Sequence, residues 1–334
     1  MRRNSAVNPN GLNDAEWYQE QNDHIALGLP LVEEARQGWW HEVTRRLRQN
    51  GEDVNSRDPR DGSTLLHMVS HAATQKLNLA SLPVAQLVIF PSRGQAALDG
   101  RRRLVEELLE RGAQVTRDAK GRTALHACAE HGSETVMETL VASGGVAHLN
   151  EQDDTGATAL AIAARLGHFR LVRWLCGRET LTPCEPDRYG VTALHKAVSF
   201  GQLQCVEALV GDRRVRACLD QPVGTPTVPS SYAALTGGET ALHLACGHSY
   251  KFHHQMHTRI AKVLLAAGAD PNAINARGQN CCHAAAREGN VAVLKELASC
   301  PRLKREAWSA KDDEGRTPRD LADGNHAALT AMPR

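Results

Sequence analysis

Short apolar stripes of helical period recur along the chain, each bracketed by glycine. Leu125/Ala129, Leu160/Ala164 and Leu194/Val198 stand four residues apart, each just after a threonine (Thr123, Thr158, Thr192) able to cap a helix start. A glycine follows (Gly132, Gly167, Gly201), and then a second stripe: Val136/Leu140, Leu171/Leu175 and Val206/Leu209/Val210. Two residues upstream of each threonine, Gly121, Gly156 and Gly190 suit a tight turn that needs positive φ. The pattern predicts a unit of turn, short helix, turn and second helix. Neither helix is long enough to persist alone in water, so the burial that stabilises it must come from neighbouring units.

Self-comparison extends the unit along most of the chain. DAKGRTALHACAEHG from Asp118 aligns with DDTGATALAIAARLG from Asp153, DRYGVTALHKAVSFG from Asp187, GGETALHLACG from Gly237 and ARGQNCCHAAAREG from Ala276. An earlier copy, DGSTLLHMVSHA, starts at Asp61, and a last one, DEGRTPRDLADG, at Asp313. Equivalent positions are Thr64, Thr123, Thr158, Thr192, Thr240, Asn280 and Thr317, separated by 59, 35, 34, 48, 40 and 37 residues. Two of these intervals lie close to the ankyrin period of about 33, and the longer ones carry insertions. The chain resembles the ankyrin-repeat family.

That resemblance implies an all-α solenoid of about seven to eight helix-turn-helix repeats joined by β-turn or hairpin loops. The repeats are placed near residues 31–57, 58–117 (with an insertion at 73–100), 118–152, 153–186, 187–220, 237–274 and 275–311, with a capping repeat at 312–330. Residues 1–30 are expected as a flexible tail, and Leu31–Asn55 as a degenerate first repeat carrying Trp39 and Trp40 after its glycine. The final copy reads as truncated, interrupted by Gly324 and Pro333. Three long connections depart from the period: 73–100, the Pro- and Ser-rich linker 221–236, and GHSYKFHHQMH at 247–257 between the helices of one copy. Such loops in a compact solenoid are either functional or disordered. The first contains LPVAQLVIF, an apolar run that needs something to cover it.

Ankyrin stacks bind other proteins through turn tips and first helices lining a concave groove. The family's variable positions map here onto Arg122 and His131, Arg165 and Leu166, Arg188, Tyr189 and Phe200, and Arg277. Aromatics and arginines dominate binding hot spots, and Tyr189 and Phe200 both fall in one copy of a chain with only four Tyr and four Phe. The resemblance therefore implies a non-enzymatic adaptor or scaffold with a protein partner. One alternative is a regulatory or targeting subunit that engages an enzyme through loop 73–100. Another is a metal-responsive protein using the histidines from His243 to His257.

Composition narrows the chemistry. Lysine and arginine number 39 against 38 acidic residues, a net charge of +1, which argues against nucleic acid or a membrane surface as the main partner. Leu82 to Phe90 falls well short of the roughly 18 apolar residues of a membrane helix. Nine cysteines with no CxxC pair, and a start without a signal-peptide run, lead to the expectation of reduced thiols and a cytoplasmic or nuclear monomer. Histidines 67, 126, 195, 243 and 283 share one repeat position, where the family uses the ring to hold the turn. Cys281 and Cys282 precede His283, yet they stand where other copies carry small packed residues. No phosphate-loop, zinc-protease or nucleophile-elbow motif is present, so no catalytic residue, cofactor or metal is expected.

Overall fold

The computed structural model describes residues 31–37, 40–50, 52–71, 93–224, 237–247, 254–322 and 325–333. It divides between Gln114 and Val115 into two compact units. The described residues are helical apart from turns and one isolated β-bridge, Gln152 to Thr158.

The first unit holds helices Leu31–Gln37, Trp40–Asn50, Leu65–His71 and Arg93–Glu110. Val43, Leu65, Val69, Val105 and Leu108 are fully buried, and Trp40, the first residue of the second helix, is buried as well. Arg46 reaches the buried Glu34 at 2.7 Å and Glu52 at 2.8 Å. The last helix starts at Arg93, inside the stretch expected as inserted loop, because Gln-Ala-Ala-Leu extends it toward the N-terminus at the cost of two glycines. The LPVAQLVIF run and the rest of 72–92 lie outside the described residues, as do residues 1–30 and 225–236.

The second unit stacks six helix pairs: Ala124–His131 with Glu134–Ala142, Ala159–Leu166 with Phe169–Cys176, Ala193–Ser199 with Leu203–Gly211, Ala241–Gly247 with His254–Ala267, Cys281–Arg287 with Val291–Ser299, and Pro318–Leu321 with His326–Ala331. First helices pack against first helices and second against second, forming two rows. Between the rows lie Leu125, Leu140, Leu160, Leu171, Leu175, Leu209, Leu242 and Leu294, all at most 1% exposed. Each such leucine removed from water contributes about 1.5–3 kcal/mol.

Three features differ from the sequence expectation. The last copy is not truncated: Asn325 accepts the Ala328 amide at 3.1 Å and starts a helix that buries Ala328 and Met332. The second helix of the sixth copy begins at His254, so His254–His257 of the expected loop are helical. Asp212 caps an extra short helix, Arg213–Ala217, by accepting the Arg214 amide at 2.8 Å.

Candidate functional site

Five of the turn tips are built by a carboxylate or amide five residues before the helix cap. Asp118 Oδ1 accepts the amides of Lys120 (2.9 Å) and Arg122 (2.8 Å), and Asp187 Oδ1 accepts those of Tyr189 and Val191 (both 3.0 Å). Asp153, Asn275 and Asp312 repeat the arrangement. Successive tips are then joined through the backbone: Asp154 N–H donates to Lys120 O (3.0 Å), Arg188 N–H to Thr155 O (3.3 Å) and Asp313 N–H to Arg277 O (3.1 Å). Gly156 sits at φ +80°, and a Cβ there would lie 2.6 Å from the Arg188 nitrogen. The glycine serves both the turn and the close approach of the next tip.

Behind the tips, the shared histidine closes the helix start. Its Nδ1 accepts the cap residue's own amide, from Thr123 at 3.0 Å, Thr64 and Asn280 at 3.2 Å, and Thr192 and Thr240 at 3.3 Å. Nε2 of His126 and of His243 donates to the next copy, to Ala157 O and Gln279 O at 3.1 Å. This network selects the neutral Nε2–H tautomer. Burial drives His195 and His243 down to about 4 and lowers His126 and His283 as well. The structural role expected of these rings is the one they fill. Two copies lack the histidine: Thr158 alone accepts the Ala161 amide at 3.2 Å, and Asp320 takes the ring's place at 2.8 Å from the Thr317 nitrogen.

The candidate groove residues fall into three situations. Arg165, in the last turn of the first helix of its copy, lies over the Phe200 ring of the next copy, 5.9 Å from guanidinium carbon to centroid. Phe200 is 50% exposed and Leu166 37% exposed, at corresponding ends of neighbouring first helices. Arg188 is exposed and Tyr189 half-buried at the adjoining tip. Arg122, by contrast, is held by Asp118 at 2.8 Å and reaches Glu130 at 3.7 Å. His131 is half-buried, and Arg277 is exposed farther along the stack.

Sequence reasoning missed Lys196. Its ammonium lies 2.9 Å from Asp187, and both side chains are almost fully buried at 6% and 3% exposure. The pair pins the Arg188–Tyr189 tip to the first helix of the same copy. A signal was present: Ala127, Ile162, Leu244 and Ala284 occupy the same place elsewhere, so a lysine on that apolar face required a buried counter-charge. Arg287 makes a comparable link to Gln279 Oε1 at 3.1 Å.

His243 is committed to the Thr240 turn, while His248, His253 and the side chain of His254 lie outside the described residues. Cys246 stands against Cys281, whose thiol is pushed well up, first by that sulfur contact and then by burial. Burial likewise raises the Cys282 thiol, which suits a packed side chain rather than a nucleophile. One departure stands out among the thiols: Cys184 and Cys218 are joined in a disulfide, against the expectation of nine reduced cysteines.

With helix pairs, turn tips and capping histidines in place, the comparisons with known proteins agree on one class. A model of ankyrin repeats in three copies matches residues 146–221, and a single-repeat ankyrin model matches 120–154 and 237–276. Residues 120–221 and 237–276 of the chain are ankyrin repeats. The chain is similar to mouse ankyrin repeat domain-containing protein 63, 37% identical over 115 residues, which cover 33% of this chain and 29% of that protein. It is also similar to mouse protein fem-1 homolog A-like, 45% identical over 78 residues, 23% of this chain and 11% of the other. The Arabidopsis thaliana E3 ubiquitin-protein ligase KEG is 27% identical over 251 residues, 71% of this chain and 14% of its own length. The chain thus spans less than a third of the length of each of these relatives. Ankyrin repeats generally mediate protein–protein interaction.

Proposed function

We propose that the chain is a non-enzymatic adaptor or scaffold whose groove, over the copies from Arg122 to Phe200, holds a partner protein. The observation that carries this reading is the Arg165–Phe200 stack with Leu166 exposed at the neighbouring helix end. A large apolar ring left half in solvent, with the Arg165 guanidinium over it, suits a segment with one apolar anchor flanked by Asp or Glu. The anchor buries ring area, and the carboxylates receive guanidinium hydrogen bonds in a fork. Tyr189 supplies further contact area at small entropic cost, because Asp187 and Lys196 fix its backbone. Arg122, already paired with Asp118, borders the site, and His131 and Arg277 extend it toward either end.

The reading includes a protein partner, no reaction at this surface, and a monomeric chain. It is tested by affinity purification from cells with the intact chain and with the double variant Tyr189→Ala/Phe200→Ala. A partner that the intact chain recovers and the double variant loses supports the groove. Equal recovery of every partner by both chains would place the contact elsewhere and sink the proposal.

A further inference from the structure

Cys184 and Cys218 lie 34 residues apart, and each stands 26 residues beyond its helix cap, Thr158 or Thr192. They are the same position in two successive copies. In the preceding copy that position is Leu149, which is 1% exposed. Here the two cysteines are only half-buried, their Cα atoms are 6.5 Å apart, and both sulfurs approach the Arg214 carbonyl, at 3.4 and 3.5 Å. That separation falls within the range a disulfide spans without moving the backbone.

A second cross-repeat pair shows why this one is special. Cys246 and Cys281 also touch across neighbouring copies, but both are fully buried and remain free thiols. No solution thiol or disulfide reaches them in the folded chain. Cys176 and Cys205 have thiols pushed up to about 12, chiefly by burial, which withholds the thiolate needed for exchange. Only the Cys184–Cys218 pair combines matched geometry with access from solvent.

We propose that Cys184–Cys218 is a reversible redox staple that locks the fourth helix–turn unit onto the fifth. It forms by exchange with a small-molecule disulfide of the glutathione class. One cysteine thiolate attacks glutathione disulfide, making a mixed disulfide and releasing one glutathione thiolate. The second cysteine thiolate then attacks the protein-bound sulfur and releases the other. Two protein thiols lose two electrons and two protons, and one glutathione disulfide becomes two glutathione thiols. Arg214 strengthens the same seam without redox chemistry, donating to the carbonyls of Cys176, Arg178, Glu179 and Leu181. The two units joined carry Arg165 and Leu166 on one side and Arg188, Tyr189 and Phe200 on the other. Formation of the bond and the firmness of this seam do not depend on what the groove binds.

The test equilibrates the full chain in glutathione buffers from fully reducing to strongly oxidising. Thiols are then counted by alkylation after denaturation, cross-linked peptides are mapped, and the thermal midpoint is followed. The oxidised chain should show seven alkylated cysteines instead of nine, with one cross-linked peptide pair containing Cys184 and Cys218. The midpoint of the transition that includes these copies should rise by about 5–15 °C on oxidation and fall back on adding dithiothreitol. Cys184→Ser and Cys218→Ser should each abolish this response. Peptide mapping of the wild type decides the matter even if a serine variant folds poorly. Nine alkylated thiols after oxidation, glutathione adducts without the cross-link, or a midpoint response that survives in Cys184→Ser would each overturn the proposal.

Discussion

At the scale of single residues, a threonine or asparagine precedes every first helix of the second unit, and a buried histidine supports that cap in four of its six copies. The buried histidines give the first testable consequence. Their folded pKa values are depressed, His195 and His243 to about 4, whereas an unfolded histidine titrates near about 6.5. Between those values the unfolded chain binds more protons, so this stability is complete above about pH 6.5 and is lost as pH falls toward 4. Asp61, held at about 2 by hydrogen bonds from Ser63 and Arg36 against the cost of burial, weakens the fold only at lower pH. The thermal midpoint should therefore be flat above pH 7 and decline between about 6.5 and 4, with a shallower decline in His195→Gln. A flat profile across that window would contradict neutral buried rings. The second consequence concerns binding to a purified partner. Tyr189→Ala and Phe200→Ala should each weaken it by about 1–2 kcal/mol, with circular dichroism unchanged. Arg165→Ala should slow association and reduce its salt dependence. The exposed second-helix controls Glu138→Ala and Glu207→Ala should do little. Losses in the controls alone would move the contact surface off the groove.

At the scale of elements, the helices are short and their stability is borrowed from neighbours. The helix Ala193–Ser199 has seven residues and Leu203–Gly211 nine, below the length that persists alone in water. Leu194 and Leu209 are 4% and 0% exposed within this pair, so Leu194→Ala or Leu209→Ala leaves a cavity in the two-row core. Each should cost about 2–5 kcal/mol, measured by chemical denaturation. A variant that keeps the parent's midpoint would show that its leucine is not part of the central packing. The same dependence explains two elements that sequence alone misread. Arg93–Gly100 extends a helix whose register is set by Leu104, Val105 and Leu108, all buried. His326–Ala331 forms because the second helix of the preceding copy offers a face for Ala328 and Met332.

At the scale of the whole molecule, repeat architecture makes stability a sum of local terms and nearest-neighbour couplings. With long connections between copies, unfolding is expected in more than one step, and probes placed in the two units should report different midpoints. Coincident single transitions by circular dichroism and by tryptophan fluorescence would argue instead for one cooperative block. Tryptophan is suited to this, since Trp40 lies in the first unit and Trp174 and Trp308 in the second.

The period of the apolar stripes, the glycine at each turn and the threonine before each first helix fixed the fold class without coordinates, because each is a local requirement of backbone geometry or capping. The shared position of five histidines likewise told in sequence that they serve structure. Other features belong to contacts between copies, which no single copy encodes. The Arg165 guanidinium meets the Phe200 ring 35 positions on, Cys184 meets Cys218 one repeat later, and Arg214 reaches back to carbonyls of the preceding copy. Lys196 lay in plain view as a charge on an apolar face, but only the folded turn shows that Asp187 is its partner. The local physics of one repeat is written in its residues, whereas the register of one repeat against the next is decided only when two of them pack.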